Sequence, residues 1–114
     1  MFISEKIKQL TKEFEEIAIQ LYKGDGSGIG AVSGLLNEAV ALMNVFIGVI
    51  PALNKMGIDV PRDVIDAQVE NLQNGLEYKD LYLLADTLKY EINDTLTIIG
   101  ELVAEGVIKD EQLF

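Results

Sequence analysis

Carboxylates are the one plentiful class of reactive side chain in this sequence. It carries 19 acids against 9 bases, a net charge of −10, and neither histidine nor cysteine. Asp86, Glu91, Asp94 and Glu101 recur along residues 80–103. In di-metal helical bundles such acids point inward and are joined by Glu-x-x-His pairs. A carboxylate-only hydrolase needs two acids facing each other across a cleft. Here the four acids fall on or near the outer side of an apolar stripe, and the pattern requires no two of them to meet. They read as a solvated acidic face. No catalytic, metal-ligating or cofactor-binding residue is assigned, no cofactor is expected, and an enzyme is not expected.

The rest of the composition narrows the chemistry further. Without histidine the chain lacks the commonest general base and the usual near-neutral pH switch. Without cysteine it has no disulfide framework and no thiolate chemistry. Nucleic acid is excluded as an expected partner, because phosphate binding needs a cationic face and the only arginine is Arg62. Gly24–Gly30 places four glycines in seven residues. A phosphate-cradling loop would follow a strand or end in Lys-Ser/Thr, and a calcium loop would alternate oxygen ligands and close with Glu. Neither pattern is present, so the segment reads as a linker.

One other constellation stands out. Leu83 and Tyr90 lie seven residues apart, with Asp86, Thr87 and Asp94 around them and Tyr78 and Tyr82 nearby. Either a neighbouring helix covers this side, or it is a second stripe that faces a partner. Apolar and tyrosine residues ringed by acids suit a groove for another helix or a subunit interface. Leu83, Asp86, Thr87, Tyr90 and Asp94 are therefore the candidate partner-binding residues.

These residues need a helix to hold them, and 80–105 supplies it. Leu81, Leu84, Ala85, Leu88, Ile92, Leu96, Ile99, Leu102 and Val103 fall within one stripe about a third of a helix wide. The other segments look built to pack on that stripe. Asp80 is its expected N-cap and Gly106 its stop. A first helix is expected over about 4–23, with Ser4 as N-cap and no capping box. Its core face is Ile3, Ile7, Leu10, Phe14, Ile17, Ala18 and Leu21.

A second helix is expected over about 30–56, kinked near Pro51 and stopped by Gly57. Its apolar arc runs from Leu35 to Leu53, with only a narrow polar or small strip of Asn37, Ala41, Asn44, Gly48 and Lys55. So wide an arc predicts burial on more than one side, in a central position or a subunit interface. Val40, Met43, Phe46 and Ile47 are the candidate dimer-interface residues. A third helix is expected over 61–78, opening at Pro61, with Ile65, Val69, Leu72 and Leu76 as its stripe and Asn74-Gly75 weakening its end. Residues 107–114 form a tail that either packs or frays.

With 114 residues, 49% of them hydrophobic, and a mean hydropathy of +0.23, the chain suits one domain with a real core. Short connections between four helices predict an all-α, antiparallel up-down bundle. The longest apolar run, Ala39–Leu53, falls short of the ~20 residues a membrane span needs and contains Asn44 and Pro51. The opening MFISEKIKQL lacks the basic and apolar regions of a secretory signal. A cytoplasmic chain without a membrane span is expected.

The segment 78–91, YKDLYLLADTLKYE, resembles an LLAD-x-L-x-YE segment of small uncharacterised helical-bundle proteins of Firmicutes, some encoded near flagellar genes. The layout is similar to that of the flagellar export chaperones, small acidic antiparallel bundles that shield helical segments of secreted subunits. The first likeness covers about fifteen residues and the second is architectural. Lys89 stands where the segment would carry an acid, and no functional residue is carried over. Together they imply a non-enzymatic interaction protein, adaptor or chaperone-like, with a protein partner or a second copy of itself in a homodimer. The alternative is a structural protein that assembles only with itself.

Overall fold

A computed structural model describes residues 1–60 and 62–114 and shows an all-helical chain of four helices. α1 is Ile3–Tyr22 and α2 is Ile29–Lys55. α3 is Arg62–Glu77. α4 covers residues 81–104, α-helical over Leu81–Asp86 and Asn93–Ala104 and π-helical over Thr87–Ile92 between them. The expected start of the third helix at Pro61 lies outside the described residues.

Every helix ends in the same way. After α1, α2 and α4 the chain turns through Gly24, Gly57 and Gly106, all near φ +80°. In each case the next amide reaches back to close the last turn, as in Ile58 N–H to Leu53 O at 2.9 Å. After α3 the same turn is made by Lys79 at φ +52°, and Asp80 N–H bonds Gly75 O at 3.0 Å. A side chain in that region costs about 1 kcal/mol that glycine would not.

α4 packs against α1, α2 and α3 and is the axis of the core. Seven of its nine stripe residues are buried, while Leu81 and Val103 are half-buried. Leu84, Leu88, Ile92 and Leu96 recur at a spacing of four, which overshoots a true α-helical turn by about 40° each time. The wider π turn at Thr87–Ile92 takes up that excess rotation and keeps all four in the core, where none has solvent exposure. The expectation of a plain α-helix is corrected here.

The seven expected core residues of α1 are all buried. Its N-cap is Phe2 rather than Ser4. Glu5 accepts the Phe2 N–H at 3.1 Å. Ser4 turns instead to the tail, donating Oγ–H and N–H to the two carboxylate oxygens of Asp110 at 2.6 and 3.0 Å. Those two bonds, the hydroxyl first, hold the Asp110 carboxyl below its ordinary pKa. Ile3 N–H donates to Glu111 O at 2.9 Å, and Ile108 is buried. The tail packs.

α3 buries Ile65, Gln68, Leu72 and Gly75, leaving Val69 and Leu76 half-buried. The expected stripe is therefore rotated toward two residues with little hydrophobicity. Gln68 accepts from Thr95 Oγ1 at 2.9 Å, which satisfies both groups in the interior. Gly75 sits where Leu84 of α4 comes closest, so close that a Cβ would lie 3.2–3.3 Å from the Leu84 Cβ, Cα and N.

α2 departs most from expectation. It runs through Pro51, and of its arc only Ala39, Leu42, Met43, Phe46 and Leu53 are buried, with Val32 buried ahead of the arc. The helix is long and apolar enough to cross a membrane by length and composition, yet just 28% of its most apolar stretch is buried. It is covered on one side, not several. α1 and α4 occupy one flank and α3 touches it only lightly. Lys6 of α1 reaches across to it, with Nζ 3.1 Å from Glu38 and 5.2 Å above the Phe114 ring.

Candidate functional site

The outer side of α4 meets the end of α1 in a cluster of aromatic and charged groups. Asp80 caps α4 by accepting the Leu83 N–H at 3.1 Å, which sets the rotation of the first turn. That rotation carries Tyr82, Asp86 and Tyr90 outward at intervals of four. Tyr82 is 65% exposed and Tyr90 58% exposed. Tyr22, in the last turn of α1, donates its hydroxyl to Asp86 Oδ1. Its ring lies 6.4 Å from that of Tyr82, tilted by 49°. Lys89 Nζ stands 5.3 Å from the Tyr90 ring centroid and 6.0 Å from that of Tyr22. Both distances are within reach of cation–π attraction.

A groove of about 490 Å³ continues from the cluster between α1 and α4, lined by Thr11, Lys12, Glu15, Lys89, Tyr90, Asn93, Asp94 and Thr97. Asn93 ties its floor together by donating to Thr11 O at 2.9 Å.

The candidate partner-binding residues are thus partly assembled. Tyr90, Asp86 and Asp94 are exposed and Leu83 is half-buried. Thr87 is a correction: it has no exposure and donates Oγ1–H to Leu83 O at 2.7 Å. It belongs to the helix's own backbone bonding, not to the surface. Tyr22 and Lys89 complete the cluster but were not among the candidates. Nothing in the sequence brings Tyr22 beside Asp86, 64 residues away. That neighbourhood exists only once α1 lies on α4.

The candidate dimer residues divide as well. Met43 and Phe46 are buried in the chain's own core, so they are corrected from interface to core. Val40 and Ile47 are half-buried. With Met43 and Asn44 they line one wall of a groove of about 540 Å³, whose other wall is Arg62, Ile65, Asp66, Val69, Glu70 and Gln73 of α3.

The electrostatics of the cluster favour holding over proton transfer. The hydrogen bond to Asp86, then burial, then the negative charge beside it push Tyr22 up to about 12 from an ordinary 10. A phenol kept protonated that far above neutrality is a poor base or nucleophile. Among the described residues, no group of three or more acids is placed to hold a metal ion. An absorbance titration should therefore show a tyrosine step near 12. Asp86→Ala should return it toward the ordinary value, and Tyr22→Phe should abolish it. Because the folded-state value is raised, the bond's contribution to stability is held below the ordinary tyrosine pKa. It is lost as pH rises through about 12. A Tyr22 step unmoved by Asp86→Ala would break the link between the two side chains.

Fold and site define an all-helical protein of four helices with an exposed tyrosine face. Compared with protein-family models, curated proteins and solved structures, the chain matches none.

Proposed function

We propose that this chain is a non-enzymatic protein-interaction domain, an adaptor or chaperone-like bundle that works in the cytoplasm and binds a partner's helix on its tyrosine face. The observation that carries this reading is the pair Tyr82 and Tyr90, more than half exposed on one side of α4. Tyrosines offer large, stiff apolar area with a hydroxyl that tolerates water, which is why they are enriched at interfaces. Tyr22, pinned by Asp86, and Lys89, lying over two rings, stiffen the surface before a partner arrives. Less ordering is then needed on binding. Asp86 and Asp94 at the rim, on a chain of net charge −10, favour a partner helix flanked by basic residues. An antiparallel up-down order of the four helices fits the short connections and the central place of α4. The likeness of residues 78–91 to proteins encoded near flagellar genes is what points to the flagellar or secretion type.

The test is capture of partners from native lysate by the purified chain and by a Tyr82→Glu, Tyr90→Glu variant. Both side chains are exposed, so the variant should keep its helical spectrum. Its partner should bind at least ~10-fold more weakly, since central tyrosines commonly carry more than 1 kcal/mol each. Equal capture by the two proteins would remove the tyrosine face from the reading. A second reading is a structural protein whose only partner is itself, and the thin cover over α2 favours it.

A further inference from the structure

The outer side of α2 carries Gly34, Asn37, Ala41, Asn44 and Gly48, spaced alternately by three and four, and all five are exposed. That spacing puts them in one strip, opposite the buried Ala39, Met43 and Phe46. Half-buried Val45 and Val49 border one edge of the strip, and Val40 and Ile47 border the other. Glycine is the poorest helix former after proline, yet two stand in the middle of this helix. A Cβ at Gly34 or Gly48 would meet nothing within 4 Å, whereas at Gly75 it would press on Leu84. Among the described residues nothing calls for glycine at 34 or 48. A second backbone lying close against the strip does.

Charge says whose backbone that is. α2 holds one acid, Glu38, and one base, Lys55, and Glu38 is engaged by Lys6. The whole net charge of −10 therefore falls outside α2. Two copies that meet along the strip itself bring no charge against charge, while the charged groups of the flanking grooves, Glu13 and Glu16 on one side and Arg62, Asp66 and Glu70 on the other, lie beside it. A basic partner is drawn to the acidic faces instead. A membrane is a poorer occupant, because the uncharged run between Glu38 and Lys55 reaches only about 24 Å against about 30 Å of hydrocarbon. The size is right for two copies. α2 is about 40 Å long and, with the grooves on either side, about 20 Å wide, which gives roughly the 800 Å² per partner of a standard interface.

We infer that α2 packs on α2 of a second copy about a two-fold axis near Ala41, with Gly34, Ala41 and Gly48 at the crossing and Val40, Val45, Ile47 and Val49 closing around it. This deepens the self-association reading and rests on it. It leaves the tyrosine face of α1 and α4 free for another partner.

Sedimentation of the full chain tests the pairing. The natural protein should be a dimer at micromolar concentration, and Ala41→Glu should weaken it by about 100-fold or more with helix content unchanged. Mixing Ala41→Glu with Ala41→Lys should restore a mixed dimer. The Gly34→Ala, Gly48→Ala variant should lose about 10-fold in dimer affinity although alanine is the better helix former. A natural chain that stays monomeric at about 100 μM, far above what a standard interface tolerates, would overturn the inference. So would a dimer indifferent to Ala41→Glu, or α2 taken up by neutral lipid vesicles in place of pairing. A monomer that still loses its partner through the tyrosine substitutions would sink the pairing alone and leave the partner reading standing.

Discussion

Replacing Phe14 with alanine is expected to cost about 3–5 kcal/mol of stability. Phe14 is the largest of the fully buried side chains and sits on the core face of α1, the helix that packs along α4. Its removal loses both the burial of the ring and the contacts of the atoms around it, because a close-packed interior refills a hole only in part. Domains of this size hold about 5–15 kcal/mol in all, so the variant should sit near the edge of folding. Urea denaturation checks this. The midpoint should fall steeply while the slope, which follows the surface exposed on unfolding, stays the same. A loss under ~1 kcal/mol would mean that α1 is not seated as described.

Gly75→Ala should also destabilise, by about 1–3 kcal/mol, against the rule that alanine improves a helix by about 1 kcal/mol. The added carbon would lie 3.2–3.3 Å from the Leu84 Cβ, Cα and N. Leu84 cannot easily give way. Its N–H is bonded to Asp80 O at 3.0 Å, the neighbouring Leu83 N–H is held by the Asp80 side chain, and Leu84 itself is fully buried. A larger residue at 75 should cost more. The sign is the decisive reading, and a raised denaturation midpoint for Gly75→Ala would show that α3 and α4 have room between them.

Much of the fold was legible in the sequence. Four helical segments, with ends within a residue or two, follow from apolar residues recurring at helical spacing and from Gly24, Gly57 and Gly106 at the stops. The core faces of α1 and α4 follow from the same spacing, because those helices have one apolar side each and only one way to bury it. α2 was misjudged because its arc exceeds half the helix. Hydropathy then says how much surface wants cover, not how much this chain can supply. The face of α3 was misjudged because hydropathy gives no credit to Gln68 or Gly75. One is buried because Thr95 meets it, and the other because its lack of a side chain admits Leu84.

The candidate site divides along the same line. That Asp86, Tyr90 and Asp94 lie on an exposed side of one helix is a matter of angles along a single chain segment, and the sequence determined it. Thr87 was misplaced by the same angles, since a hydroxyl bonded to the carbonyl one turn back can be buried at little cost. The pairing of Tyr22 with Asp86, the lysine over two rings and the tail clasped to Ser4 join residues far apart in the chain. No local spacing encodes such contacts. The tertiary structure alone decided them, because they depend on how far each helix slides and turns against α4, and that is set by the sum of core packing and not by any one residue.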